Sequence, residues 1–488
     1  MRGETRSPPL AALANQSDHG FMALKNNGAG DRSPVGNRST TAAGYAERVA
    51  ALRTRLAAQP PGAPVRLAKR TSNLFRPRAG TTGPGLDVSG FTHVLDVDPV
   101  ARTADVEGMV TYEQLVDATL PHGLMPLVVP QLKTITVGGA VTGLGIESSS
   151  FRNGMPHESV LEMDLLTGAG DIVLARRDNE HSDLFFGFPN SYGTLGYALR
   201  LRIELEPVRP FVRLEHIRYS DTVEYFDAVN RACRDRAADF VDGTVFGPRE
   251  MYLTLGTFTG EAPETSDYTW LDIYYKSIRE RTIDHLPVRD YLWRWDTDWF
   301  WCSRALGAQN RLVRLLAGPK LLRSQTYWKV VTFERHHQWL AGLNRALGKP
   351  RREAVIQDIE VPVGKAADFL DFFHREIPIS PVWMCPVRQR DSDRTWPLYQ
   401  FDPGSLYINF GFWATVPLAP GQREGSNNRL IEKTVTELGG RKSLYSESFY
   451  DPDTFWQLYN GKTYRALKDR YDPGHRLLDL YDKCVKAR

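Results

Sequence analysis

The stretch Pro130–Ser150, PQLKTITVGGAVTGLGIESSS, sets the tightest limit on what this chain can become, because Gly138, Gly139, Gly143 and Gly145 interrupt an apolar context and alternate with Thr and Ser. Glycine lets backbone N–H groups approach a planar or anionic ligand with no Cβ in the way, and the hydroxyls add donors. A glycine-rich packing loop in a β domain is the competing reading of the same text. Upstream, Lys69–Arg76 joins small polar residues to cations, a composition suited to a pyrophosphate. Downstream, Ser182–Phe186 (SDLFF) precedes Ser191–Gly196 (SYGTLG). Three such elements in order are more specific than any one.

The text around them is organised as α+β. Tyr45, Val49, Leu52 and Leu56 recur at helical spacing until Pro60-Pro61. Short β-rich runs with Gly-rich turns then fill Val65–Pro207, broken by one helical insert at Thr111–Leu120. Beyond the Pro207/Pro210 junction, helices are expected at 222–237 and 265–283, alternating with strands such as Met251–Phe258 and Ala354–Val361. The divisions that follow are a disordered leader (1–43), a ligand-binding domain (44–207), a substrate or cap domain (208–439) and a helical C-terminal segment (440–488) folding back near the ligand.

Composition removes several classes. A net charge of +3 over 488 residues argues against a dedicated nucleic-acid binder. Cys233, Cys302, Cys385 and Cys484 are widely spaced, which disfavours a zinc site or a disulfide framework, and no apolar run approaches the ~20 residues that cross a bilayer. The G-x-G-x-x-G, P-loop, H-E-x-x-H and G-x-S-x-G motifs are all missing. Cytoplasmic location is expected, with peripheral attachment at the inner face of the membrane.

Thr136-Val137-Gly138-Gly139, Asp183-Leu184-Phe185 and Gly193-Thr194-Leu195-Gly196 resemble, in order, the T-x-G-G, D-L-F and G-x-x-G of the vanillyl-alcohol-oxidase superfamily flavin domain. Within it, TVGGAVTGLGIESSS, NEHSDLFFGFPNSYGTLG, VIQDIEVPV, PVWMCPV and LYDKCVKA resemble segments of the delta-24 sterol reductase family, over residues 65–488. The resemblance implies an FAD-binding domain plus cap, with Thr71, Ser72, Asn73, Leu74 and Phe75 at the pyrophosphate. It also implies that Thr136, Val137, Gly138, Gly139, Ala140, Val141, Thr142, Gly143, Leu144, Gly145, Ile146, Glu147 and Ser148 wrap the FAD, and that Gly193, Gly196 and Ile203 complete its wall. The Thr-Ser-Asn-Leu-Phe loop departs from the superfamily's glycine-rich phosphate loop. Neither matching loop holds a His or Cys, His93 and His122 lying outside them, so the FAD is expected to be non-covalent.

The activity implied is FAD-dependent reduction of an isolated C=C bond in a lipid with NADPH as electron source. A 10-methylene fatty acyl chain converted to its 10-methyl form is the expected substrate, as in actinobacterial members of the group. A sterol side-chain double bond, or same-fold oxidation of an alcohol or sugar, is the alternative. Expected partners are the lipid substrate, including membrane phospholipid acyl chains, and a lipid methyltransferase. An isolated alkene accepts hydride poorly until protonated, so a proton donor in an apolar cavity is required. Glu447 and Tyr450, in the aromatic stretch Tyr445–Tyr450, are the preferred candidates, with Tyr471 of the Asp472-Pro473 turn as a further one. The pair His336-His337 and the pair Asp358/Glu360, which strand alternation puts on one face, are the others.

Four of eleven tryptophans, Trp293, Trp295, Trp299 and Trp301, fall within nine residues, and residues 288–329 hold eight basic residues to three acidic. With the amphipathic stretch Arg304–Leu322, this suggests a membrane-facing segment with Trp at headgroup level; an ordinary helix with core tryptophans is the rival explanation.

Overall fold

The structure is a computed structural model that describes residues 38–60, 62–69, 75–76, 85–337 and 351–486, without the side chains of 38–42, 305–306 and 331–337. Two antiparallel sheets carry the fold. The first contains β1 (Val94–Asp98), β2 (Thr103–Glu107), β3 (Leu124–Pro126), β4 (Val160–Leu166), β5 (Ile172–Arg176) and β6 (Tyr197–Pro207). Its order is β1-β2-β6-β4-β5, with β3 also pairing β6. Alternation along β6 explains its two faces: Leu199, Leu201, Ile203 and Leu205 are buried, while Arg200 points the other way to Asp105, Glu162 and Asp164. The Arg38–Ala57 helix covers that charged face, Tyr45 donating to Asp164 at 2.8 Å and Arg48 to Glu107 at 2.8 Å. This helix starts inside the stretch expected to be a disordered leader, whose residues 1–37 lie outside the description.

The second sheet contains β7 (Phe211–Tyr219), β8 (Phe240–Gly247), β9 (Glu250–Thr259), β10 (Ile283–Pro287), β11 (Arg352–Pro362), β12 (Val382–Val387), β13 (Tyr407–Pro417) and β14 (Arg441–Lys442). Its order is β10-β7-β9-β8-β12-β13-β11-β14. Helices Thr222–Arg234, Ala366–Glu376 and Ser426–Glu437 cover one face. They do so because Tyr225, Phe226, Val229, Phe369, Leu370, Phe373, Ile431 and Val435 form helical stripes that meet Ile359, Ile408, Phe410 and Phe412. The other face is turned to the first sheet's domain and carries the polar residues described below. Pairing of β14 with β11 extends this sheet past residue 439.

The helix expected at 265–283 is not formed; only Tyr274–Ser277 is helical there. Ser266 and Tyr268 donate to Asp284, and Asp267 accepts from Thr269 N at 2.7 Å, so side chains take over the bonding a helix would need. The C-terminal helices Pro452–Leu458 and Gly461–Tyr471 return to the first domain, where Lys468 Nζ donates to Thr194 O at 2.8 Å.

Candidate active site between the two sheets

The glycine-rich segment forms a short helix, Val137–Gly143, opened by Thr136, whose Oγ1 accepts from Gly139 N at 3.2 Å. It lies hard against β2: a Cβ on Gly138 would come within 2.7 Å of the Gly108 carbonyl oxygen. Only glycine permits this approach. The far end is tied to the SYGTLG element, Thr142 O accepting from Tyr192 N at 3.0 Å, Thr142 Oγ1 from Gly193 N at 3.1 Å, and Gly143 O from the Tyr192 hydroxyl at 2.6 Å. Two other parts of the chain converge on Tyr192. Arg76 lies 5.0 Å over its ring and donates to Leu444 O at 2.9 Å, and Lys483 Nζ donates to Tyr192 O at 2.6 Å.

Opposite these elements stands the open face of the second sheet. Its register places Glu360 across from Asn409, and Asn409 across from Cys385; the next row runs Asp358, Gly411, Trp383. Directly opposed residues share a face, so two carboxyls, an amide and a thiol stand side by side. Only glycine fits at 411, since a Cβ there would lie 2.5 Å from Asp358 Oδ1. Tyr399 donates to Glu360, and Trp413 Nε1 donates to the Tyr445 hydroxyl beside Asp358 at 2.9 Å.

Burial governs the electrostatics here. It pushes the Asp358 carboxyl up to about 7, against the opposing pull of Asn409, Tyr445 and the Lys442 cation. Burial also pushes Glu360 up to about 8; the Asp358 charge adds to the rise, while Tyr399 and Lys442 oppose it. Lys442, itself lowered by burial, donates to Ser446 Oγ at 3.0 Å and Glu447 O at 2.9 Å. Burial thus favours the protonated form of both carboxyls.

The residues present fit a planar heterocycle with its own donors and acceptors. Asp358 Oδ1, Glu360 Oε1 and both polar atoms of the Asn409 amide are buried without a hydrogen-bond partner. Native interiors rarely leave such groups unsatisfied. Gly139, Thr142, Gly143, Gly145, Ile146 and Tyr192 on one side, with Asp358, Trp413 and Tyr445 on the other, keep partial exposure although they sit between the sheets.

A family model described as FAD binding domain matches residues 41–176. The chain is 27% identical over 440 residues to a Delta(24)-sterol reductase of Arabidopsis thaliana, covering 83% of this chain and 77% of the relative. It is 26% identical over 421 residues to that of Homo sapiens, covering 81% and 76%. A Cytokinin dehydrogenase 6 of Oryza sativa subsp. japonica is 37% identical over 149 residues, 30% of this chain and 28% of the relative. The chain carries an FAD-binding domain and is similar to Delta(24)-sterol reductases over most of its length. It is an FAD-dependent oxidoreductase acting on a C=C bond, with an α+β fold.

In this flavoprotein the residues singled out from sequence separate into groups. Val137, Ala140, Val141 and Leu144 are core residues, as is Ile203, on the buried face of β6. Glu147 and Ser148 are buried too, Ser148 Oγ lying 2.9 Å from the Tyr291 hydroxyl. Gly196, at φ +150, packs on the Leu166 carbonyl. Arg70, Thr71, Ser72, Asn73 and Leu74 lie outside the described residues, as do the side chains of His336 and His337; Phe75 is described and packs between Trp299 and Tyr445.

The structure does not bring Tyr471 to the carboxyl pair: its hydroxyl donates to Asp183 at 2.7 Å, fastening the C-terminal helix to Ser182–Gly187. Tyr450 is buried against Tyr459, and Glu447 is tied through its backbone N–H to Phe75 O at 3.1 Å. Tyr450→Phe is accordingly expected to keep turnover within about threefold of the parent, against the ~10²-fold or greater loss of a true proton donor; steady-state rates at matched flavin content check this.

Sequence reasoning missed Asn409, Gly411, Tyr399 and Tyr192, while Arg76 is read there as a cation suited to a pyrophosphate. The signal for the first two was present, as a polar and a small residue on alternate positions of the otherwise aromatic run Tyr407–Trp413. The tryptophan reading is corrected. Trp293, Trp295, Trp299 and Trp301 are all buried in the aromatic core, and the acids between them point inward, Asp296 to Lys133 N at 2.9 Å and Asp298 to Arg314 at 2.6 Å.

Proposed function

We propose that this flavoprotein reduces an isolated, branched alkene in a lipid, with the Asp358/Glu360 pair delivering the proton. The observation that carries the reading is a pair of carboxyls, Glu360 buried and Asp358 half-buried, both raised toward neutral pH, on the sheet face turned to the glycine-rich segment. Gly139, Thr142, Gly143, Gly145 and Ile146 would line FAD on one side, with Asn409 and the carboxyls facing it from the other. FAD, once reduced by NADPH, supplies hydride to carbon. A protonated carboxyl in an apolar site gives its proton to the less substituted alkene carbon, so that positive charge falls on a tertiary centre that the hydride fills. The Trp383 and Trp413 rings, in and beside the same row, would exclude water from the charge as it develops.

A sterol side-chain alkene and a 10-methylene fatty acyl chain both yield a tertiary centre when protonated. The names of the relatives favour the sterol as first substrate; the fatty acyl chain is the second reading, resting on the resemblance alone. The test is anaerobic turnover with NADPH on each lipid, read by mass spectrometry as a gain of two hydrogens. With deuterium oxide as solvent, one deuterium should appear at the less substituted carbon. Peroxide release from an alcohol under air, with neither alkene reduced, overturns the reading.

A further inference from the structure

The Arg311–Leu321 helix presents its leucines to solvent and its central arginine to the interior. Arg314 is 0% exposed, paired with Asp298 at 2.6 Å and exchanging hydrogen bonds with the backbone and indole of Trp270. Leu312, Leu315 and Leu316, at the i, i+3, i+4 spacing of one helical face, are 64, 53 and 79% exposed. Among the described residues eleven large apolar side chains are exposed, and six of them, these three with Val313, Leu321 and Val330, fall between 312 and 330. Scattered exposed leucines need no explanation, but a contiguous patch marks an interaction surface.

The charge around the patch identifies the partner. No Asp or Glu occurs from Trp299 to Phe333, while Arg304, Arg311, Lys320, Arg323 and Lys329 are exposed. A second copy of this chain placed on the patch would oppose cations to cations. An anionic lipid surface meets both properties, accepting leucines at the acyl boundary and cations at the headgroups. We propose that the Arg311–Leu321 helix docks this protein on anionic membrane lipid. The helix is broken by Gly318 (φ +65) and Pro319, which keeps its first segment short, and no helix among the described residues is long and apolar enough to cross a bilayer.

Behind the patch an aromatic row leads inward. Tyr327 stacks on Trp299 at 6.0 Å, Trp299 meets Phe75 at 5.7 Å, and Phe75 meets Tyr445, beside Asp358, at 5.6 Å. Docking would thus set the membrane at the outer end of an apolar row that ends beside the carboxyl pair. This deepens the proposed function and rests on it for the purpose of docking, but not for docking itself.

The test is co-sedimentation of the FAD-loaded full chain with phosphatidylcholine vesicles, with and without phosphatidylglycerol. Binding is expected only to the anionic vesicles and should weaken with salt. Leu312→Gln/Leu316→Gln and Arg311→Glu/Lys320→Glu should each lower binding about tenfold or more, with flavin absorbance and melting temperature unchanged because all four side chains face solvent. Three results overturn the proposal: no anionic-vesicle binding, binding that both variants retain, or a leucine variant that only converts a dimer to a monomer. Docking that persists while neither lipid alkene is reduced sinks the proposed function and leaves the docking surface standing.

Discussion

Asp358→Asn and Glu360→Gln are each expected to lower turnover by about 10²- to 10⁴-fold, the usual contribution of a positioned proton donor, while leaving FAD bound. Both substitutions keep the side chain's shape and remove only its exchangeable acid proton. The pH profile separates this from a packing defect. Turnover of the parent should be level at low pH and fall as pH rises through the raised values of the pair, because only the protonated acid can act. In Asp358→Asn the alkaline limb should move to lower pH, since the Asp358 charge is one cause of the rise at Glu360.

Stability should move the opposite way. A carboxyl with a folded pKa above its unfolded value binds more protons folded than unfolded, so its contribution is full below the unfolded value and lost as pH rises through the folded one. The parent should therefore lose melting temperature more steeply than Asp358→Asn between about pH 4 and pH 8. A variant slower at every pH, yet relatively more stable at alkaline pH, has lost a proton donor rather than its fold. Full turnover in both variants removes the pair from the mechanism.

The flavin domain was legible in sequence because its constraint is local. A glycine needed for close approach, such as Gly138 on Gly108, leaves its mark wherever the partner lies, and so do the cap of a helix and the alternation of a strand. Alternation along Ile356–Val361 correctly put Asp358 and Glu360 on one face. What alternation could not show was which face, since that depends on register with β13 and on the helices that cover Ile359, Phe410 and Phe412. Glu447 and Tyr450 drew attention because an aromatic context predicts desolvation, and Tyr450 is buried. Desolvation alone does not name the group it acts on, however, and Tyr450 packs on Tyr459. The tryptophan cluster failed for a related reason: tryptophan beside arginine is also what an interior looks like when each arginine has an acid partner.

Arg294 is the clearest of those interior partners, and Arg294→Met is expected to destabilise the fold by about 3–5 kcal/mol, the usual result of leaving one member of a buried ion pair alone. Its guanidinium is 1% exposed, lies 2.8 Å from Asp242 and 4.0 Å over the Tyr291 ring, and donates to Tyr291 O at 3.0 Å. The same cation opposes the burial that holds Glu147 up to about 8, and Tyr291 in turn contacts Ser148 at the end of the glycine-rich segment. Without Arg294, Asp242 keeps only the Trp383 indole N–H at 3.2 Å. Removing both charges in Arg294→Met/Asp242→Asn should cost less than the sum of the single changes, because the second relieves the charge stranded by the first. Denaturant melts of the three variants give the coupling, and flavin retention through the same melts tells whether the segment loosens with it. Strict additivity would mean that the two groups act independently, and that the second domain does not brace the flavin segment through this pair.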